Sequence, residues 1–287
     1  MNQINLFIEL TRLKKPIGFM LLFWPCAWGL TLAYDFSNDL KNYFFYLILF
    51  FLGAVLMRSA GCIVNDILDK EYDKKVERTQ NRPIASNNIS VKVGILYSAT
   101  LCFLALLVLL NFNKITIVLA LGSMPLAFTY PLMKRFTYWP QLFLGITFNY
   151  GLILGWTAVN SQINLIPVLL YFGAIFWTLG YDTIYGYQDI KDDEIIGLKS
   201  TSIKFKNNPI KFLSVCYLIF LIIILIIGLL MDLNKFFYVI FIIIFLQMFY
   251  FQIKKLDIEN KFSCLKIFKS NNFLGLLVFL SLAVGKI

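Results

Sequence analysis

The sequence contains no histidine and few charged residues. Of its 287 residues, 15% are charged and 59% are hydrophobic. The absence of histidine excludes haem ligation through His and a histidine general base, and no CxxC pair is present to build a Cys/His zinc site. The five cysteines stand singly, at positions 26, 62, 102, 216 and 264. A metal ion in this protein must therefore be held by oxygen atoms, which favours Mg²⁺ or a similar hard cation.

Long apolar runs dominate what is present, and the mean hydropathy is +0.75. An apolar run of about 20 residues is long enough to cross a bilayer as a helix. We therefore predict an all-α polytopic membrane protein, with about nine transmembrane helices around a central cavity. The predicted spans lie near residues 16–34, 43–64, 91–111, 115–132, 140–160, 165–187, 210–231, 235–252 and 271–287. The first 13 residues lack a basic stretch before an apolar core, so we expect a short amphipathic surface helix there and no cleavable signal.

Basic residues are concentrated in every second connecting loop. They cluster near residues 12–15, 70–92, 134–135, 191–211 and 254–269, while the intervening loops hold only three lysines. Because basic loops remain on the cytoplasmic side, we predict a cytoplasmic N-terminus in a bacterial inner membrane. Anionic lipid headgroups account for the net charge of +10, so no nucleic acid partner is needed.

Acidic residues are distributed differently from basic ones. Ten of the 16 acids lie in two short windows, residues 66–77 and 182–194. One window follows the second predicted span and the other follows the sixth. If the first eight spans form two related four-helix halves, the windows occupy equivalent positions and face one cavity from the same side.

The spacing within each window suggests a metal site. In "NDILDKEYD", the side chains of Asn65, Asp69 and Asp73 are spaced i, i+4, i+8 and share one helix face. Asp189 and Asp193 repeat this spacing in the second window, with Asp192 beside them. Stacked carboxylates repel one another, so a cation should lie between them. The two faces together offer enough oxygen ligands for one or two Mg²⁺ ions, which also take ligands from phosphate.

Basic residues follow these acids closely in the sequence. They form two pairs, Arg78 with Arg82 and Lys134 with Arg135. Metal-bridged carboxylates beside Lys and Arg are suited to bind a diphosphate and stabilise its departure. A diphosphate site inside an apolar helical bundle favours a substrate with a hydrocarbon tail. Prenyl diphosphates meet both requirements.

Two charged residues are predicted inside spans, where charge is costly without a partner. Arg58 lies seven residues before Asn65, nearly two helical turns, and so shares its face. We interpret Arg58 as an anchor for an anionic group, such as a carboxylate on a second substrate. Asp182, seven residues before Asp189, is its counterpart in the other half. Its two candidate roles are orienting this polar network and accepting a proton.

Four ordered segments resemble motifs of the UbiA-type intramembrane prenyltransferases. The pattern N-D-x-x-D-x-x-x-D at 65–73, followed by "RTQNRPIAS", is similar to their first aspartate motif. "YDTIYGYQDIKDDEIIGLKST" at 181–201 is similar to their second motif. "KPIGFMLLFWPCAWGL" (15–30) and "YPLMKRFTYWPQLFLGITFNYG" (130–151) resemble the branch that prenylates 4-hydroxybenzoate.

The resemblance implies one prenyltransferase domain over residues 1–287, which transfers a polyprenyl group from its diphosphate to 4-hydroxybenzoate in ubiquinone biosynthesis. The implied Mg²⁺ ligands are Asn65, Asp69, Asp73, Asp189 and Asp193. The implied diphosphate contacts are Arg78, Lys134 and Tyr130, and the implied aromatic-substrate contacts are Arg58 and Asn65. The catalytic set is Asp69, Asp73, Asp189, Asp193 and Lys134, with Asp66, Asp182, Tyr185 and Asp192 as secondary candidates.

Two alternatives remain open at this point. The same family could act on another acceptor, such as haem, a naphthoate or a chlorin. A protein that is not an enzyme, an acid-gated membrane transporter, could also carry acids in its spans. A transporter favours acids near the bilayer midplane and interrupted spans, whereas most acids here are predicted at span ends.

Overall fold

The computed structural model describes residues 3–37 and 39–287, and helices account for most of them. The helices are α1 (Gln3–Thr11), α2 (Ile17–Ala33), α3 (Leu40–Leu68), α4 (Lys70–Asp73), α5 (Val91–Leu109), α6 (Lys114–Gly122), α7 (Met124–Thr129), α8 (Pro140–Asn149), α9 (Gly151–Asn160), α10 (Leu165–Gly186), α11 (Ile190–Ile195), α12 (Thr201–Lys204), α13 (Pro209–Leu230), α14 (Lys235–Leu246) and α15 (Lys261–Gly285). A 3₁₀ segment, Tyr130–Arg135, continues α7, and a π-helical segment, Gln247–Ile253, continues α14.

Eight helical segments in the described part of the chain are long and apolar enough to cross a membrane. A further apolar helix, α2, has 17 residues and is shorter than the others. The prediction of an all-α polytopic membrane protein is therefore confirmed. The main difference is at the last span, which begins at Lys261 and not near residue 271. The proposed relationship between two four-helix halves stays a prediction.

Helices α2 and α9 pack so closely that their backbones touch. A Cβ atom on Gly29 would lie 2.0 Å from the carbonyl oxygen of Leu152, and one on Gly155 would lie 2.2 Å from that of Cys26. Only glycine permits this separation, as in other membrane helix pairs that approach through small residues. This close backbone contact fixes the position of α2 against α9.

The N-terminal helix α1 is amphipathic, as predicted. Leu6 and Leu10 are buried in a small apolar cluster that includes Ile63 and Leu101 on α3 and α5. Directly after α1, Arg12 adopts a left-handed backbone conformation with φ of 56°. This turn directs the chain from α1 into α2. The predicted location of α1 at the membrane surface stays a prediction.

Both acidic motifs lie where a long helix ends. Helix α3 ends at Leu68, and Asp69 follows with φ of −97° and ψ of 6°. The helical spacing nevertheless continues, because the Asp69 N–H donates to the Asn65 carbonyl at 2.9 Å and the Asp73 N–H donates to the Asp69 carbonyl at 2.8 Å. The Asp193 N–H donates to the Asp189 carbonyl in the same way, at 2.9 Å. The i, i+4 spacing is therefore preserved in both motifs.

Candidate active site

The first motif, residues 65–73, is held by basic residues from other segments. Asp69 is fully buried, and its carboxylate accepts from Lys134 Nζ at 2.5 Å and from Arg135 Nη2 at 3.4 Å. The 3₁₀ segment that follows α7 supplies both partners. Arg135 also stacks over the ring of Tyr72, 5.0 Å from its centre. Its buried Nε has no acceptor among the described residues, so one donor remains available to an anionic ligand.

A second ion network in the first motif surrounds Asp66. This carboxylate is 2% exposed and accepts from Arg12 at 2.6 Å and from Arg82 at 3.1 Å. Arg82 also donates to Asp73 at 2.8 Å. Burial raises the pKa of Asp73. Arg82 lowers this pKa in part, whereas the neighbouring carboxylates of Asp66 and Asp69 raise it further. The three carboxylates are thus close enough to interact electrostatically.

The second motif, residues 189–193, meets one arginine of the loop that follows the first. Arg78 donates to both carboxylate oxygens of Asp189, with Nε at 2.8 and 3.0 Å and Nη2 at 2.5 Å. Its Nη1 donates to the hydroxyl of Tyr185 at 3.1 Å, and the guanidinium lies 5.5 Å from the centre of that ring. This bidentate geometry fixes Arg78 between the two motifs.

The two motifs face each other across Lys134. Burial and the adjacent Asp189 raise the pKa of Asp193 to about 6, while Lys134 and Arg78 act in the opposite direction. Lys134 therefore interacts with Asp69 of the first motif and with Asp193 of the second. The predicted convergence of the two motifs is found in the structure.

Deeper in the bundle lies a second set of residues, which we call the inner group: the polar residues Arg58, Tyr130 and Asp182, and the aromatic residue Phe148. The Arg58 guanidinium lies over the Phe148 ring, 5.2 Å from its centre, and the Tyr130 ring packs edge-on to Phe148 at 6.2 Å. Asp182 interacts electrostatically with Arg58 and with Tyr130. Gly18 on α2 leaves room for the guanidinium, because a Cβ there would be 2.8 Å from Arg58 Nε.

A largely apolar cavity of about 230 Å³ begins at this inner group. Arg58, Tyr130 and Phe148 line it, and it extends between helices to the apolar side chains of Phe112 and Leu154. An apolar cavity with a few convergent polar groups is the usual form of a small-molecule site. Its chemistry suits a hydrocarbon chain with a polar end near Arg58 and Tyr130.

The remaining predicted residues make fewer contacts. Asn65 and Asp192 are half-buried, and within residues 3–37 and 39–287 neither side chain forms a hydrogen bond or ion pair. The sequence alone marks Arg12 only as part of the basic cluster near residues 12–15. Arg12 reaches Asp66 from 54 residues away. The positive φ at Arg12 is visible only in the folded chain.

The acidic residues fit a hard divalent cation by their chemistry. The two motifs carry five oxygen-bearing side chains, and oxygen ligands are those that Mg²⁺ prefers. Among the described residues, no group of three acidic or cysteine side chains is arranged to hold a metal ion. The carboxylates form ion pairs with Lys and Arg instead. A cation bound here would exchange places with those basic partners.

Comparison with known proteins identifies the family. The model of the UbiA prenyltransferase family matches residues 22–281. The mitochondrial 4-hydroxybenzoate polyprenyltransferase of Bos taurus is 44% identical over 282 residues, which cover 98% of this chain and 75% of that protein. The protein of the same name from Homo sapiens is 43% identical over 282 residues, with the same 98% and 75% coverage.

A solved structure agrees with this assignment at the level of the fold. A UbiA homolog from Archaeoglobus fulgidus bound to GPP and Mg²⁺ has a TM-score of 0.73 to this chain, at 18% identity and with 98% of each chain covered. The resemblance inferred from the four sequence motifs is thus confirmed. The chain belongs to the UbiA prenyltransferase family.

Proposed function

We propose that this protein transfers a polyprenyl group from an allylic polyprenyl diphosphate to 4-hydroxybenzoate, at the ring carbon ortho to the hydroxyl, and releases diphosphate. The relatives that are 43–44% identical over 98% of the chain carry the name of this activity. The observation that carries the proposal is that basic residues link both acidic motifs, Lys134 at Asp69 and Arg78 at Asp189, in a bundle that also holds an apolar cavity lined by Arg58 and Tyr130. This reaction is a step of ubiquinone biosynthesis.

The donor's diphosphate would be held between the two motifs. Arg78 and Lys134 would turn from Asp189 and Asp69 to phosphate oxygens, with Tyr130 beside them and Arg135 offering its unpaired Nε. Asn65, Asp69, Asp73, Asp189 and Asp193 would hold Mg²⁺. When bound, the metal neutralises charge on the departing diphosphate. The complex of the Archaeoglobus fulgidus UbiA homolog with GPP and Mg²⁺ supports a divalent cation in this family.

Bond changes at the donor need no further reagent. The allylic carbon–oxygen bond breaks, and its electron pair leaves with diphosphate, stabilised by the basic side chains. The electron-rich ring carbon then bonds to the allylic carbon, and the ring regains aromaticity by losing its proton to the released diphosphate or to a nearby carboxylate. The apolar lining of the cavity keeps water from the carbocation.

The acceptor would be oriented by Arg58. Arg58 precedes Asn65 by seven residues on α3, which corresponds to about 10 Å along the helix axis. A 4-hydroxybenzoate molecule fits this separation with its carboxylate toward Arg58 and its hydroxyl end toward the first motif. Phe148 offers an aromatic face beside the same guanidinium. A carboxylate anchor suits an aromatic acid, and the relatives reported above carry the name of 4-hydroxybenzoate as acceptor.

The proposed site would open on the cytoplasmic side of a bacterial inner membrane. Most of the 26 basic residues lie in the loops on the side of the acidic motifs, and basic loops favour the cytoplasmic face. The relatives named above are mitochondrial proteins. Reporter fusions placed after Ser86 and after Asp232 should report opposite sides of the membrane.

One experiment tests the proposed activity directly. Membranes containing the protein are incubated with Mg²⁺, a polyprenyl diphosphate and a panel of aromatic acids, and the product is identified by mass. We expect prenylated 4-hydroxybenzoate from wild type and from the control Glu71→Gln, and none from Asp69→Asn. Glu71 belongs to the same motif, but it is 73% exposed, and among the described residues it pairs only with Lys74. Full activity of Asp69→Asn would refute the assignment of the motif.

A further inference from the structure

The side chain of Tyr185 contacts both Arg78 and the last helix of the bundle. Its hydroxyl accepts from Arg78 Nη1 at 3.1 Å, and the guanidinium lies 5.5 Å from the centre of its ring. The ring of Phe268, on α15, packs on the same tyrosine, with the two ring centres 4.4 Å apart and the planes tilted by 41°. Phe268 is buried. A residue of α15 therefore reaches the arginine between the acidic motifs through one side chain.

Tyr185 is the last member of an aromatic row on α10, formed by Trp177, Tyr181 and Tyr185. The four-residue spacing places the three rings along one side of the helix. The ring centres of Trp177 and Tyr181 are 5.0 Å apart, and Phe268 contacts Tyr181 as well, at 5.9 Å. The same spacing continues from Tyr185 to Asp189. Phe268 thus contacts the two members of the row that are nearest the second motif.

A buried hydrogen bond holds Phe268 against this row. Asn271 is fully buried, and its side chain accepts from the Trp177 indole at 2.8 Å and donates to the Phe268 carbonyl at 3.3 Å. Breaking such a bond leaves a buried polar group without a partner, which is costly. The turn of α15 that carries Phe268 is therefore fixed relative to α10. A ring fixed in this way restricts the orientation of the Tyr185 ring.

Arg78 needs this support because it changes partners in the proposed reaction. Its Nε and Nη2 donate to Asp189, while its Nη1 donates to Tyr185. When Nε and Nη2 turn to phosphate oxygens, the Tyr185 hydroxyl can keep Nη1. The Arg78 side chain is 39% exposed, and a long side chain loses rotamer freedom when it is held at a ligand. A side chain that is already oriented loses less on binding.

We infer that Phe268 is a positioning residue for the diphosphate of the donor, which acts through Tyr185 on Arg78. This inference rests on the proposed function, which assigns Arg78 to the diphosphate. Phe268 restricts the Tyr185 ring, the ring directs its hydroxyl, and the hydroxyl holds one N–H of the guanidinium. Loss of the Phe268 ring should therefore weaken binding of the donor and leave binding of the acceptor unchanged.

The test measures binding of a prenyl thiolodiphosphate with Mg²⁺ to the full-length protein in lipid nanodiscs by calorimetry. This donor analogue keeps the diphosphate, and its carbon–sulfur bond resists cleavage. We expect Phe268→Leu and Tyr185→Phe each to raise its Kd about tenfold. That factor is the low end of what a hydrogen bond to a charged group contributes, because solvent reaches Arg78. Phe273→Leu is the matched control. It makes the same change on α15 at a side chain that is 53% exposed, and it should bind the analogue as wild type does.

A double variant separates positioning from loss of packing. In a Tyr185→Leu protein, Phe268→Leu should raise the Kd of the analogue no further, because no hydroxyl remains to be oriented, whereas independent effects would add. The Kd of 4-hydroxybenzoate should be that of wild type in the Phe268→Leu protein. A loss of packing alone would lower Tm and the fraction of active protein, and it would not select the donor.

Three results would overturn the inference: wild-type affinity for the analogue in Phe268→Leu, additive effects in the double variant, or equal weakening of donor and acceptor. If Phe268→Leu does not fold, Tyr185→Phe still decides, since it keeps the ring, and wild-type affinity for the analogue in that protein would overturn the inference. Failure of the proposed function would instead be seen in wild type itself, as binding of the analogue without prenylation of 4-hydroxybenzoate, or as no binding at all.

Discussion

Replacing Asp66 with asparagine should destabilise the folded protein strongly. The amide keeps the shape of the side chain but removes its charge, and Asp66 is 2% exposed between Arg12 and Arg82. A hydrogen bond to a charged group contributes about 1.5–3 kcal/mol, and breaking a buried pair costs about 3–5 kcal/mol. Arg12 and Arg82 are 22% and 20% exposed, so solvent screens part of the loss, and Arg82 keeps Asp73. We therefore expect a loss of about 2–4 kcal/mol.

Thermal unfolding in detergent measures this loss. A change of 1 kcal/mol shifts Tm by about 2–4 °C in a domain of 150–250 residues, so Asp66→Asn should melt roughly 4–16 °C below wild type. Limited trypsin digestion should also cut faster after Lys14, because Arg12 no longer ties the end of α1 to α3. The matched control is Glu71→Gln in the same motif. Glu71 is exposed, so the Tm of the Glu71→Gln protein should equal that of wild type.

Two results would refute this reasoning. The first is an Asp66→Asn protein that melts with wild type, which would mean that the buried network contributes nothing to folding. The second is an equal loss in Glu71→Gln, which would assign the effect to the net charge of the motif and not to burial. An Arg12→Gln variant should reproduce the faster digestion, since it removes the other side of the same contact.

Three further predictions concern other parts of the molecule. Gly155→Ala should lower Tm or abolish folding, because the new Cβ would lie 2.2 Å from the Cys26 carbonyl oxygen, and melting in detergent measures it. Burial and Asp189 raise the pKa of Asp193 to about 6. In metal-free protein, Asp193 therefore favours folding below pH 4, and this contribution to stability is lost as the pH rises to 6. In EDTA, Asp193→Asn should have a higher Tm than wild type at pH 7, and this difference should be gone at pH 4. Lys286→Met should lower Tm by a few degrees, because the Lys286 ammonium donates to three backbone carbonyls at the end of α2.

Hydropathy predicted the spans well because lipid-facing surface is a local property of sequence. Hydropathy did not predict the start of α15, because Lys266 and Lys269 lower the mean hydropathy there. Asn271 in that stretch is fully buried and accepts from the Trp177 indole at 2.8 Å. A polar residue paired in this way is compatible with a span, but its partner lies 94 residues away. No local pattern reveals such a pair.

In the candidate active site, too, the local spacing could be predicted and the distant partners could not. Spacing along one helix identified Asn65, Asp69 and Asp73, and the structure keeps that spacing across the break at Asp69. The same reasoning placed Asp66 off the shared face and left it secondary. The structure buries Asp66 between two arginines, one of which arrives from the N-terminal turn. Partners that come from another segment of the chain depend on tertiary packing, so spacing alone cannot find them.

The pairing of Asp69 with Lys134 and of Asp189 with Arg78 has a consequence for the order of ligand loading. These pairs compensate the charges of Asp69 and Asp189 without metal or substrate. A divalent cation that arrives alone would release basic side chains without a counter-ion, and a diphosphate that arrives alone would release carboxylates. On the proposed function, each ligand supplies the counter-ion that the other displaces. Metal and diphosphate should therefore bind with positive heterotropic cooperativity, each raising the affinity for the other by the same factor.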